Sequence, residues 1–168
     1  MTNVAQDIVE ETIKLTAADG HSFEAFHAAP KQGSKGGLVI LQEIFGLTDQ
    51  LKGVVRAYAR DGYDTISPCV YDRVAPGTVV PFAEAERGRD LAYGLPLDKV
   101  MHDVGAAVDR VQSSRGVSVL GFSETHIYEA GHAFANDVRP AYNEAAATTA
   151  RARTLDFLAK HHKPATTH

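Results

Sequence analysis

Leu38-Val39-Ile40-Leu41-Gln42-Glu43-Ile44-Phe45-Gly46 is the stretch on which the fold turns. Four apolar residues, Leu38 to Leu41, run without interruption between Gly36-Gly37 and the polar pair Gln42-Glu43. A run of this length and branching predicts a strand buried on both faces, as in a parallel sheet covered by helices. Gln42 and Glu43 follow where that strand should end, and in open α/β sheets sites gather at the carboxyl ends of strands. Burying a carboxylate without a partner is costly, so Glu43 is either a turn or capping carboxylate or a working one.

Upstream, Thr12–Leu15 and Ser22–Ala28 alternate in polarity around Asp19-Gly20, which predicts an antiparallel hairpin. Downstream, Thr48 or Asp49 can cap a helix over Gln50–Asp61 with Leu51, Val54, Val55 and Tyr58 as its apolar stripe. Gly62 ends it, and Tyr63–Ser67 reads as the next strand, completing a βαβ unit. Pro68–Glu84, with its prolines, reads as an excursion over the site, and Ala83–Gly94 as a short helix. Asp98 can cap a helix over Lys99–Ser114, with Val100, Val104, Ala107, Val108 and Val111 at helical spacing and Asp103 toward solvent. Val117–Leu120 reads as a buried strand closed by Gly121-Phe122-Ser123, Thr125–Glu129 as a last strand, and Pro140–His162 as a long helix. Residues 8–162 are expected to form one domain, with 163–168 a disordered tail.

Composition narrows the function. The chain has 168 residues, 44% hydrophobic and 23% charged, a formal charge of -4 and a pI near 6.0. That balance argues against a nucleic-acid or acidic-membrane partner. No apolar run approaches the roughly 18 residues of a membrane span. The acidic N-terminal stretch does not read as a secretory signal, and the single Cys69 excludes an internal disulfide. A cytoplasmic setting is expected. The histidines lack metal-ligand spacing, the glycines lack nucleotide-loop order, and no cofactor is expected. Cys69 has no histidine near it in sequence and reads as an inert thiol.

Three polar positions end three predicted strands: Glu43, Ser123 and His132. A nucleophile followed by a histidine toward the C-terminus is the chain order of an α/β-hydrolase. There the histidine takes the hydroxyl proton and backbone N–H groups bind the oxyanion.

The strings Gln42-Glu43-Ile44-Phe45-Gly46, Gly62-Tyr63, Tyr71-Asp72-Arg73, Ala75-Pro76-Gly77, Gly131-His132-Ala133-Phe134 and Arg153-Thr154-Leu155-Asp156-Phe157-Leu158 resemble the dienelactone hydrolase family. The resemblance implies a three-layer, mostly parallel α/β-hydrolase-like sheet and hydrolysis of a small carboxylic ester or lactone through an acyl-enzyme. It implies Ser123 as nucleophile, His132 as base, Glu43 as the carboxylate that helps activate the nucleophile, and the Ile44 N–H as an oxyanion donor. Arg89 and Tyr93 resemble residues that meet a substrate carboxylate. Founding members carry a second arginine where this chain has Asn136, so the resemblance does not extend to a muconate-type dianion, although Arg139 is nearby.

The chain departs from that pattern between Ser123 and His132. Gly121-Phe122-Ser123 runs into Glu124-Thr125-His126 with no second glycine, and eight residues separate Ser123 from His132. The triad aspartate is absent there; Glu124, Asp137 and Asp103 are the local carboxylates that could orient His132, with Asp137 more naturally a turn residue. About two helix–strand units, at ~30 residues each, would be expected in the gap. Parallel neighbours need a crossover of about a dozen residues. The short join therefore predicts His132 far from Ser123 within one subunit, whereas proton transfer needs about 3 Å. A second subunit could complete the site. The rival reading is a non-catalytic shortened remnant, a binding module that self-associates through an unpaired sheet edge.

Overall fold

The computed structural model describes residues 7–112 and 126–161. The chain forms two compact units, Met1–Val117 and Ser118–His168.

The first unit is an α/β layer structure. Its strands are β1 (Ile8–Thr16), β2 (Ser22–Pro30), β3 (Gly37–Val39) and β4 (Asp64–Pro68); its helices are α1 (Asp49–Arg60), α2 (Ala85–Gly94) and α3 (Leu97–Gln112). The sheet order is β1-β2-β4-β3. β1 and β2 form the expected antiparallel hairpin, with Gly20 at φ +85° in its turn. β2 also pairs antiparallel with β4, and β4 pairs parallel with β3 across the α1 crossover.

Alternation along β2 explains the layering. Phe26 and Ala28 face α1, where Leu51, Val55 and Ala59 close a buried cluster with Leu47. Ala25 faces the other way and packs with Ile66 of β4 and Ala107 and Val111 of α3. One helix thus covers each face, because side chains alternate along a strand while a helix presents one stripe. A third cluster, Phe45, Val70, Tyr71 and Val80, lies under Ile44 and α2.

The expected strand Leu38–Leu41 is shorter and wetter than its composition suggested. β3 stops at Val39, its residues are half-buried, and Leu41 is 53% exposed. Among the described residues β3 pairs with β4, and past Val39 the ladder continues only as the Ile40 N–H to the Ile66 carbonyl at 2.8 Å.

The helix bounds moved by a few residues. Thr48, not Asp49, caps α1: its Oγ1 accepts from the Leu51 N–H at 3.2 Å. Ala59 replaces Tyr58 as the third fully covered residue. α2 starts at Ala85 and α3 at Leu97, so Asp98 lies inside the first turn of α3 rather than capping it, and the Pro96 carbonyl accepts from Lys99 and Val100.

The Pro68–Glu84 excursion contains two short 3₁₀ turns, Val70–Arg73 and Phe82–Glu84. Buried Asp72 holds it to β2, accepting from the Glu24 N–H at 2.8 Å and the Gly77 N–H at 2.9 Å. Asp103, expected at the surface, is fully buried. Arg73 reaches into the α3 surface and pairs with it, which removes the reason for a carboxylate to seek water.

The second unit holds α4 (Glu144–His161), capped by Asn143, whose Oδ1 accepts from the Ala146 N–H at 3.0 Å. It starts later than the expected Pro140 because residues 132–141 form successive turns. Ala147, Ala150, Leu155 and Leu158 are half-buried. Residues 126–129 are not a strand: Tyr128 instead gathers His126, Phe134 and the Arg153 guanidinium around its ring. Ring packing replaces ladder pairing there. The predicted strand Val117–Leu120 and residues 163–168 lie outside the described residues.

Candidate active site

The chain leaving β3 makes a tight turn over Glu43–Gly46. The Gly46 N–H donates to the Glu43 carbonyl at 3.2 Å, and Val80 N–H donates to Phe45 at 2.9 Å. Gly46 sits at φ +80°, and a Cβ there would lie 2.6 Å from the Thr78 carbonyl oxygen. A left-handed turn pressed against another backbone admits glycine alone.

Within the turn Glu43 is exposed and Ile44 half-buried. Exposure means that the Glu43 carboxylate does not carry the desolvation cost that first singled it out. Gln42 Oε1 accepts from the Val70 N–H at 3.2 Å, which ties the turn to the excursion. The Ile44 carbonyl lies 2.9 Å from the Tyr71 hydroxyl. No described residue accepts from the Ile44 N–H. That amide is therefore not committed to another described residue.

Helix α2 abuts the turn. The Tyr71 hydroxyl also lies 3.0 Å from the Gly88 carbonyl. A Cβ at Gly88 would lie 2.4 Å from the Ile44 carbonyl oxygen, so only glycine allows this approach. Arg89 follows directly; its side chain is 55% exposed and 3.9 Å from Glu86. Tyr93, on the same helix, is 84% exposed.

His132 belongs to the second unit, is exposed, and directly precedes the turn Ala133–Asn136, closed by the Asn136 N–H to the Ala133 carbonyl at 3.0 Å. Ala133 has φ +65°, the left-handed value that alanine rarely adopts. Asn136, in the position of the family's second arginine, is buried and its Oδ1 accepts from the Val138 N–H at 3.2 Å. Asp137 is an exposed turn residue, as expected, and Asp103 is committed to Arg73. Ser123 and Glu124 lie outside the described residues.

Cys69 is half-buried, and its thiol is pushed up to about 12, mostly by burial and then by the charges of Asp72 and Glu24. A neutral thiol is a poor nucleophile. Among the described residues no three His, Cys, Asp or Glu side chains are grouped to hold a metal ion, and no helix is long and apolar enough to cross a membrane.

Sequence reading missed the Tyr71 hydroxyl and Gly88. A glycine inside a helical pattern was the available signal for the second, since it lowers helix propensity unless close packing calls for it. Nothing in the composition around Tyr71 marks its hydroxyl.

The dienelactone hydrolase family profile matches residues 23–123 and 121–162. The chain belongs to the dienelactone hydrolase family. The two matched stretches overlap over residues 121–123 and between them include the Glu43–Gly46 turn, Gly88 and His132. Among curated relatives, the carboxymethylenebutenolidase of Pseudomonas putida is 35% identical over 88 residues, 52% of this chain and 37% of that one. Carboxymethylenebutenolidase 1 of Cupriavidus pinatubonensis is 26% identical over 123 residues, 68% of this chain and 52% of the relative. The chain thus spans about a third to a half of the length of these relatives. A solved structure from Klebsiella pneumoniae named "Putative Dienelactone Hydrolase" matches with a TM-score of 0.58 at 18% identity, over 93% of this chain and 100% of the other. The dienelactone hydrolase-like promiscuous phosphotriesterase P91, from metagenomic libraries, matches with a TM-score of 0.50 at 18% identity, over 63% and 43%. At these identities the likeness is one of fold, and the fold of this dienelactone hydrolase family member is α/β-hydrolase-like.

Proposed function

We propose that this chain hydrolyses small carboxylic esters or lactones through an acyl-enzyme on Ser123. His132 takes the Ser123 proton as the hydroxyl attacks the acyl carbon, and returns it to the leaving oxygen. The Ile44 N–H donates to the oxyanion, and Glu43 helps to activate the nucleophile. Arg89 and Tyr93 meet an acidic substrate group. With Asn136 in place of a second cation and its amide engaged in a local turn, a monoanionic or neutral acyl group fits better than a dianion.

The observation that carries this reading is the turn at Glu43–Gly46: a backbone N–H without an acceptor among the described residues, in a glycine-dependent turn inside the family's matched region. Hydrolysis of p-nitrophenyl acetate by the full chain tests it. The expected result is a wild-type rate that falls by at least about a hundredfold in Ser123→Ala and in His132→Ala. Equal rates in all three proteins overturn it. Recovery of activity on mixing the two variants would mean that subunits complete each other's sites.

A further inference from the structure

We propose that the Tyr71 hydroxyl is a positioning group for the oxyanion turn: by bridging the Ile44 and Gly88 carbonyls it fixes the Ile44 N–H as a donor and holds α2 against it. The inference rests on the hydrolase reading above and adds a residue to it.

Tyr71 is 2% exposed and packs among Phe45, Val70 and Val80. Its hydroxyl has one hydrogen to share between two carbonyl oxygens, at 2.9 Å and 3.0 Å. Burial raises its pKa above the usual phenol value, so the group remains a donor throughout the neutral range.

Peptide planarity turns this contact into control of the amide. The Glu43 carbonyl is held by the Gly46 N–H, and across a trans peptide the Ile44 N–H points the opposite way. The Ile44 carbonyl, in the next plane, is held by Tyr71. Both planes flanking Ile44 are therefore pinned, one by the turn and one by the phenol. Gly88 makes the second grip possible, because any side chain there would displace the Ile44 oxygen. The oxyanion donor and the backbone preceding Arg89 consequently share one hydroxyl. Phenylalanine would fill the same volume in the core without either hydrogen bond.

The test is Tyr71→Phe in the full chain, with kcat and KM for p-nitrophenyl acetate taken after subtracting the Ser123→Ala rate. Amide hydrogen exchange at residues 44–46 and the melting temperature are measured alongside. Losing an oxyanion donor outright costs about 10²–10³ in kcat, so loosening one is expected to cost about tenfold. KM for this carboxylate-free ester should stay within about twofold, and exchange at Phe45 and Gly46 should quicken about tenfold. Gly88→Ala, which forces the same carbonyl aside, should show the same split between kcat and KM. Unchanged kcat in Tyr71→Phe overturns the proposal, as does a lower kcat with unchanged exchange at residues 44–46. A wild-type rate no higher than that of Ser123→Ala overturns the hydrolase reading instead. The exchange measurement then decides by itself whether the hydroxyl holds the turn.

Discussion

Arg73 grips Asp103 at two points: Nε donates to Oδ2 and Nη2 donates to Oδ1, each at 2.7 Å. The carboxylate side chain is fully buried and the guanidinium 11% exposed. The same arginine reaches Asp19 in the β1–β2 turn at 3.0 Å and 3.2 Å, and Lys99 approaches Asp19 at 3.4 Å. One cation therefore ties the hairpin turn to the excursion and to α3. Replacing it strands a buried charge, which typically costs about 3–5 kcal/mol. Arg73→Met is expected to lower the melting temperature by roughly 12–20 °C. Arg73→Met with Asp103→Leu should recover part of that loss, because the fully buried carboxylate is then gone and Asp19 keeps Lys99. Calorimetry of the three proteins checks the order.

Asp19 gives the pH dependence. The Arg73 hydrogen bonds hold its carboxyl well below the usual carboxylate range, against a smaller opposing effect of desolvation. A depressed folded pKa means that the unfolded chain binds the proton first as pH falls. The contribution is full above the ordinary aspartate value of about 4 and is lost as pH drops through the folded value. Asp19→Asn should therefore lower stability at neutral pH and flatten the acid limb of a melting-temperature profile below pH 4. Some slope should remain, since Arg56 lowers Glu10 in the same direction.

His27 and Asp64 form a second buried pair, with Nε2 2.5 Å from Oδ1 and side-chain exposures of 6% and 8%. They lie on the α3 face of neighbouring strands, and Glu11, opposite His27 in the β1 register, is 3.4 Å from Nδ1. His27→Leu removes the imidazole that Asp64 meets and is expected to cost about 1–3 kcal/mol in urea unfolding. Asp64→Asn, which keeps an acceptor in place, should cost less.

Ala133 pays for a left-handed backbone beside His132. Such a residue gives up about 1–2 kcal/mol relative to a right-handed one. Ala133→Gly should raise the unfolding free energy by about 0.5–1 kcal/mol, read as a higher urea midpoint, once the entropy of glycine is set against that strain. Ala133→Val should lower it, since a β-branched residue tolerates positive φ least.

The hairpin, α1, β4 and the three-layer arrangement were legible because hydrophobic period and turn chemistry are local signals. Asp-Gly marked the hairpin, and the Leu51/Val55 spacing marked the covered face of α1. Asp103 was misread because its environment depends on Arg73, thirty positions earlier in the chain, and no local pattern encodes that meeting. Leu38–Leu41 was read as longer than the observed Gly37–Val39 because an apolar run records burial potential, not where the ladder stops. Residues 126–129 were misread for a related reason: Tyr128 is as well suited to a ring cluster as to a ladder. At the candidate site, the motif around Ile44 drew attention to that turn, whereas the hydroxyl that grips its carbonyl comes from a separate turn.

The loop joining β2 to β3 contrasts with the turn at Glu43–Gly46. It is largely exposed, and a Cβ at Gly33 would meet nothing within 4 Å. Inserted residues are best accepted at exposed tips of this kind. A fluorophore or affinity tag grafted at Gly33 would sit in a loop separate from the Glu43–Gly46 turn, which makes it the natural handle for immobilising or labelling the protein.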